Sequence, residues 1–530
     1  MPGSPVHVAA VIMQTSRNIK LGFIVVFSVF GSVVCSSGYI TPGSVAATAD
    51  AENNPPATAF YVAPTLTPNL SSSGSLASPT ARVTENPAAS QEAGKSILYA
   101  AQSGDSLSVV AAHFGVEESE IASPADIAEG LIAPGQLLVI PDRLGEVSSN
   151  VQIMPDSEII YSPSAIGFDA ESYAGIPLGF LSSYRQYLVP EWHNGGNVIE
   201  KIAIENSINP RILLSILEFR SNWVLGHPAN AGTNLYPIGT DDEMGSGLYA
   251  QMVWVSNQLS VGYYGWRDGS LSEYQFVDGT RQQISPELNA GSVAIHYLFS
   301  KLYDYEAWLE VVDEREGFPA MHKAMFPDPW VRAAQEEPLL TADLVQPELT
   351  LPFFGGQIWS FSSGPHGAWD RLGAQAALDF APSSNEPGCV VSDQRITAVA
   401  GGLVVRTAPG VVVLDLDGDG NEQTGWVILF LHVSSDKQVE EGSWVDRGSF
   451  LGFPSCEGGF STASHLHIAR KYNGEWMSAA GALPFELSGW TAKAGSEAYQ
   501  GFLVRDGETR TACTCGNPDT LISLSSEDPY

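Results

Sequence analysis

The last third of the chain carries four histidines, His366, His432, His465 and His467, together with a carboxylate, Asp379, set in an apolar run. Two imidazoles and one carboxylate are a common protein donor set for a catalytic zinc, because three ligands leave the fourth tetrahedral position open for water. His366, Asp379 and His467 fit that role. The other two imidazoles, His432 and His465, are of the type that takes up and returns a proton near neutral pH. Metal-assisted hydrolysis is the chemistry such a set can perform.

Residues from about Leu351 to Val504 must position this set. They are rich in Val, Ile and Gly and fall into short apolar runs at 396–405, 411–414 and 426–433, which predicts β-strands joined by tight turns. Alternate side chains of a strand share a face, so His465 and His467 should point to one side and Leu466 to the other. A single histidine in a β domain is more often a packed residue than a ligand. Five residues of the right types, spread over four blocks, reverse that weighting.

Those blocks are Gly364-Pro365-His366-Gly367, Ala377-Leu378-Asp379-Phe380, Phe430-Leu431-His432 and Ser464-His465-Leu466-His467. Together they resemble the peptidoglycan-cleaving zinc endopeptidases that include lysostaphin and, more closely, the beta-lytic endopeptidases. In the larger lysostaphin-like branch the first two ligands lie four residues apart, but Gln375 stands at that place. His366 and Asp379 are 379 − 366 = 13 positions apart, the longer spacing of the beta-lytic branch. The segments 398–404 and 442–448 resemble the turns and strands that frame the same fold.

The resemblance implies a mainly antiparallel β domain in which His366, Asp379 and His467 bind one Zn2+. It places His432 and His465 beside the attacking water, one taking its proton and the other stabilising the oxyanion. The implied substrate is the peptide cross-link of bacterial peptidoglycan. Phe430 stands two before His432, where many relatives carry Tyr, so any role for that hydroxyl is absent or supplied elsewhere. The alternative is an inactive relative that binds peptidoglycan or activates another wall hydrolase. Inactive relatives usually lose ligands, and none is missing here.

Two further units precede this one. Residues 96–142 begin Ile97-Leu98-Tyr99 and Gly104-Asp105-Ser106-Leu107 and close on Pro134-Gly135-Gln136 before an apolar strand. They resemble the LysM domain, which implies a small α+β fold of strand, helix, helix and strand that binds N-acetylglucosamine polymers. Asp105 reads as a helix N-cap and Gly135 as a turn residue. Residues 181–345 show helical spacing at Ile212, Leu213, Ile216 and Leu217, with Asn209-Pro210 as cap and first helical position. The stretch 208–223 resembles the signature helix of soluble lytic transglycosylases. It departs at Arg220, where those enzymes carry the Glu general acid; Glu218 points about 200° away on a helix. A degenerate lysozyme-like, mostly α domain is therefore expected, with glycan cleavage through Glu218 as a rival reading.

Lys and Arg number 25 against 59 Asp and Glu, a net charge of −34 that repels nucleic acid and anionic membranes. Arg17 and Lys20 followed by an apolar run to Val34 read as an export signal, with an uncleaved membrane anchor or lipid attachment at Cys35 as the other options. The protein is thus expected outside the cytoplasm, secreted or held at the envelope, meeting the membrane only through that segment. Cysteines 389, 456, 513 and 515 form an even set in an exported chain, which permits disulfides; Cys389–Cys456 with Cys513–Cys515 is one of three pairings. Asp415, Asp417 and Asp419 look like the start of a Ca2+ loop, but Trp426 occupies the place of the closing Glu, and a polar hairpin tip is an equal reading.

The expected organisation is multidomain. It comprises a signal peptide or anchor at 1–36, a Pro/Ser/Thr/Ala-rich tether at 37–95, the LysM-like unit at 96–142 and a linker at 143–180. The helical unit at 181–345, the zinc peptidase domain at 346–505 and a tail at 506–530 follow.

Overall fold

The structure is a computed structural model that describes residues 95–239, 244–369, 372–383, 388–515 and 517–524. The expected export segment and almost all of the tether lie outside the described residues. Among the described residues no helix is long and apolar enough to cross a membrane.

Residues 96–142 pair the strands Ser96–Ala100 (β1) and Leu137–Pro141 (β2) antiparallel, with the helix Leu107–Phe114 (α1) packed against them. Tyr99, Val110, Phe114, Leu138 and Ile140 form a small core of their own. The second expected helix is reduced to one 3₁₀ turn at Glu118–Glu120. Asp105 is not the N-cap of α1; Ser106 is, and the Asp105 carboxylate instead accepts from Tyr99 Oη and Gln102 N, both at 2.7 Å.

The helical unit is built on Gly195–Asn206 (α2), Pro210–Ser221 (α3), Leu248–Arg267 (α4) and Ala290–Ser300 (α5). Asn209 caps α3 through Arg211 N, with Pro210 in the first turn. The unit starts earlier than its helical periodicity indicates. Residues 143–180, expected as a linker, contain the short helices Asp156–Ile159 and Ala170–Gly175 and bury Ile153, Met154, Ile159 and Ile160. One-turn helices are too short to leave a periodic signal.

The β unit centres on a nine-stranded sheet. Its strands are Ile358–His366 (β3), Ala377–Pro382 (β4), Gly402–Ala408 (β5), Gly410–Asp415 (β6), Trp426–Val433 (β7), Trp444–Val445 (β8), Leu466–Tyr472 (β9), Glu475–Trp476 (β10) and Leu521–Ser523 (β11). The order is β8-β5-β6-β7-β9-β4-β3-β11, with β10 paired to β9. Two strands therefore belong to structure that was expected to be tail: β11 and Glu508–Thr511, which closes a second, four-stranded sheet.

Both faces of the large sheet are covered. Val412, Leu414, Ile428, Phe430, Ile468, Leu378 and Phe380 turn into a core shared with Trp490, Ala492 and Leu503 of the second sheet. Their alternates, Val411, Val413, Val427, Leu429, Leu431, Ala469 and Ala377, join the core of the helical unit with Leu259 and Tyr263 of α4. Such double burial explains why β6 and β7 read as continuous apolar runs rather than alternating ones.

Candidate metal centre

Pairing within the sheet assembles the centre. Asp379 on β4 is the direct cross-strand partner of His467 on β9, a relation that brings two side chains on one face to about 4.5–5.5 Å between Cβ atoms. On the other side of β4, irregular register between Ser363 and His366 lets His366, at the end of β3, turn toward the same point. His366 Nε2 and His467 Nδ1 are 3.0 Å apart, and each lies 3.2 Å from Asp379 Oδ1. Donors bound to zinc at about 2.0–2.1 Å in a tetrahedron are about 3.3 Å from one another. The three side chains are buried.

The hydrogen bonds on the outer side of the rings fit a cation at the centre. His366 Nδ1 donates to Gly364 O at 2.9 Å and His467 Nε2 to Ala368 O at 2.8 Å. In the neutral rings each inward nitrogen then carries a lone pair, directed at another lone pair and at a carboxylate. Asp379 Oδ1 is buried and has no hydrogen-bond partner, an arrangement that costs free energy unless a positive group completes it. The donor set suits Zn2+ in type, number and spacing.

The two remaining histidines stand beside this tripod. His432 Nδ1 donates to Glu457 O at 2.8 Å and His465 Nδ1 to Ala463 O at 2.9 Å. His465 Nε2 is 3.6 Å from Asp379 Oδ2, and the rings of His432 and His465 are 4.4 Å apart. His432 is the extra residue of a bulge: Leu431 pairs with Val411 and Val433 with Gly410, and His432 adopts φ +63° between them. Its carbonyl is held by Ser455 N and Ser455 Oγ at 2.7 and 3.0 Å. The bulge also explains Phe430, whose ring is buried in the opposite core, away from the centre.

Burial and the two neighbouring imidazoles push His432 down to about 3, so it is neutral in ordinary solution. Burial alone would raise Asp379, but the His366 and His465 imidazoles outweigh it and hold this carboxyl well below its usual range. For His366, burial acts downward and Asp379 more than offsets it. Burial keeps His467 below the ordinary histidine range.

Some of the machinery lacked a signal in the sequence. Four main-chain carbonyls, those of Gly364, Ala368, Glu457 and Ala463, fix the four imidazoles, and any residue type can present a carbonyl. Tyr499, on the turn between Trp490–Ala494 and Gly501–Arg505, stacks on His366 at 4.5 Å with 22° between the rings. The 13-residue spacing has a structural counterpart: the loop after His366 runs against α4, where Gly373 packs on Ser260, and supplies the Ala368 carbonyl to His467.

Cys389 is bonded to Cys456 and Cys513 to Cys515. The oxygens of Asp415, Asp417 and Asp419 cluster, but the Asp415 carboxylate is taken by the amides of Asp417, Gly418 and Gly420. Such bonds make a hairpin tip, and nothing in it supports Ca2+. In the helical unit Glu218 Oε2 accepts from Val224 N and Leu225 N at 2.8 and 2.9 Å, while Arg220 binds Ile238 O and Tyr303 Oη. Both side chains serve the loop after α3, and the lysozyme-like reading gains no support.

Known proteins similar to this chain match both its helical and its β unit. A family model described as LasA, N-terminal domain, matches residues 152–339. The chain is homologous to Protease LasA of Pseudomonas aeruginosa PAO1, with 26% identity over 397 residues, covering 70% of this chain and 87% of that protein. The same protein from strain UCBPP-PA14 matches equally. Among solved structures, a novel M23 metalloprotease, pseudoalterin, from the deep sea has 23% identity and a TM-score of 0.27 over 32% of this chain and 96% of its own. The catalytic domain of lysostaphin from Staphylococcus simulans has 22% identity and a TM-score of 0.17, covering 23% and 87%.

Proposed function

We propose that this protein is a zinc-dependent endopeptidase that hydrolyses peptide cross-links of bacterial peptidoglycan outside the cytoplasm. Its homology to Protease LasA makes the chain a metalloendopeptidase; zinc, the wall substrate and the roles of single residues are our reading. The observation that carries it is the convergence of His366 Nε2, Asp379 Oδ1 and His467 Nδ1, with the Asp379 oxygen buried and accepting no hydrogen bond. We also read residues 96–142 as a LysM-type module that holds the enzyme on glycan strands. Its outer sheet face leaves Leu98, Leu137 and Val139 exposed, and a tethered module of this kind raises the local substrate concentration.

When bound, zinc supplies a Lewis acid for the scissile carbonyl and acidifies water at its open position. The chain's own groups do the rest. The carbonyls of Gly364 and Ala368 keep His366 and His467 in the tautomers that face inward. His432 and His465, both protonated on Nδ1 toward a carbonyl, leave Nε2 free. One of them accepts the proton of the attacking water at Nε2 and passes it to the leaving amine; the other faces the oxyanion and donates to it from Nε2 only when it has taken up a proton from solvent.

The test is mass spectrometry of fragments released from purified peptidoglycan by zinc-loaded full-length protein. New amino termini within the peptides, with glycan ends unchanged, are expected. Anhydro-sugar or new reducing ends would instead mark glycan cleavage, and no release at all would mark a binding protein.

A further inference from the structure

The five residues of the centre are held in two different ways. Asp379 and His467 are cross-strand partners and His366 ends β3, so sheet pairing fixes the three ligands of the proposed zinc. His432 and His465 lie beyond the last pair of β7 with β9, His432 at the bulge and His465 one residue before β9. The carbonyls that orient their rings, those of Glu457 and Ala463, belong to the stretch 456–464, which contains neither helix nor strand. A carbonyl on such a stretch keeps its direction only if the stretch is tied down.

One covalent bond ties it. Cys456 is bonded to Cys389, 67 positions away. Next to Cys456, Ser455 holds the His432 carbonyl through N and Oγ at 2.7 and 3.0 Å and pairs with His465 in an isolated β-bridge, while Glu457 O takes the His432 ring. On either side of Cys389, Gly388 O and Val390 O accept from the amide and the hydroxyl of Ser464, the residue between Ala463 and His465. Ser392 N bonds Pro454 O at 3.1 Å and closes the arrangement. The disulfide thus joins the two segments that hold the two imidazoles. His366 and His467 rest instead on Gly364 O and Ala368 O.

We propose that the Cys389–Cys456 disulfide is a positioning element for His432 and His465, needed for turnover and not for holding the metal. The assignment rests on the peptidase reading, which makes these two imidazoles the groups that carry protons. It makes the enzyme redox-sensitive, because reduction leaves the ligands in place and frees the rings. Cys389 is exposed, so a reductant reaches the bond. A trialkylphosphine supplies two electrons and leaves as its oxide with an oxygen from water, and the two protons of that water convert the sulfurs into thiols.

The test uses full-length, zinc-loaded protein and a soluble cross-linked peptide prepared from peptidoglycan. Cys389→Ser with Cys456→Ser should lower kcat at least tenfold, since a misaligned imidazole is a poor proton carrier, with KM within twofold and one zinc per chain. Cys513→Ser with Cys515→Ser, which removes the other disulfide, should leave kcat within twofold. If the first pair of substitutions prevents folding, phosphine reduction of the second double variant, whose remaining disulfide among the described residues is Cys389–Cys456, gives the same readings. A kcat within tenfold of oxidised wild-type protein, zinc lost along with kcat, a loss carried by KM, or an equal loss on removing Cys513–Cys515 would each overturn the proposal. Failure of the peptidase reading is seen separately, as oxidised wild-type protein that cleaves nothing, and takes the proposal with it.

Discussion

Asp379 Oδ1 is the atom that defines the centre, because it is buried without a hydrogen bond between two imidazoles whose outer nitrogens are committed to carbonyls. Replacing it by an amide keeps the shape and removes the charge. Asp379→Asn and His467→Ala should both yield protein with far less than one zinc per chain, measured by atomic emission after dialysis. His465→Ala should keep its zinc and lose on the order of 10²- to 10⁴-fold in turnover, the usual weight of a general acid or base. Loss of zinc from His465→Ala, or stoichiometric zinc in His467→Ala, would reverse the division of roles. His366, Asp379 and His467 were expected to meet from the resemblance of their blocks to the zinc endopeptidases, and the structure does bring the three together; that they bind zinc is our proposal. The carbonyls that orient them were not legible in the sequence, because a backbone acceptor has no residue signature.

At the scale of strands, alternation anticipated that His467 and its neighbours would divide between two faces, and a doubly covered sheet accounts for the apolar runs. The bulge that redirects His432 was not legible, since it depends on the pairing of β6 with β7. Gly410 lies opposite it at φ +80°, and a Cβ there would meet Glu457 C and Gly458 N at 2.2 Å. Glu457 O is the acceptor that orients His432. Gly410→Ala should therefore lower kcat by on the order of tenfold or more while zinc content stays at one, because displacement of that carbonyl releases the ring. An unchanged kcat in folded Gly410→Ala would show that the orientation is not needed.

The neighbouring strands carry a buried charge cluster. Glu422, in the loop from β6 to β7, meets Arg406 of β5, and Lys471 of β9 at 3.1 Å. Burial would raise its carboxyl, but the two cations more than offset this and hold it at about 2. A carboxyl depressed in the folded state adds stability that is complete above its unfolded value near 4.5 and is lost as pH falls toward 2. Denaturant unfolding at pH 5.5 and 2.5 should show a loss to which this group contributes on the order of 3 kcal/mol. Glu422→Gln should be less stable at the upper pH and should show a shallower decline; parallel curves for the two proteins would remove the assignment.

Three of the described units also meet at one guanidinium. Arg267, at the end of α4, reaches Ser103 O of the small α+β unit, Asp156 Oδ2 at 2.9 Å in the segment expected to be a linker, and Glu475 Oε2 at 3.2 Å on β10. Tyr263 Oη donates to the same Glu475 oxygen at 2.9 Å. Sequence reading separated these units because each has its own periodicity; it could not see that the 473–476 hairpin enters the helical unit, where Ser207 Oγ binds Gly474 O and Tyr264 Oη accepts from Trp476 N. Contacts between residues some 200 positions apart leave no local pattern. Since the helices and one face of the sheet share a core, calorimetry of the full chain should show these two parts melting together. Arg267→Met would strand Asp156 and Glu475 as buried unpaired carboxylates, a loss of about 3–5 kcal/mol by denaturant unfolding. Glu475→Gln, which leaves Arg267 paired with Asp156, should cost less. Separate transitions for the helical and β parts in wild-type protein would mean that the shared core does not couple them, and a larger loss from Glu475→Gln than from Arg267→Met would mean that the guanidinium is not the centre of the cluster.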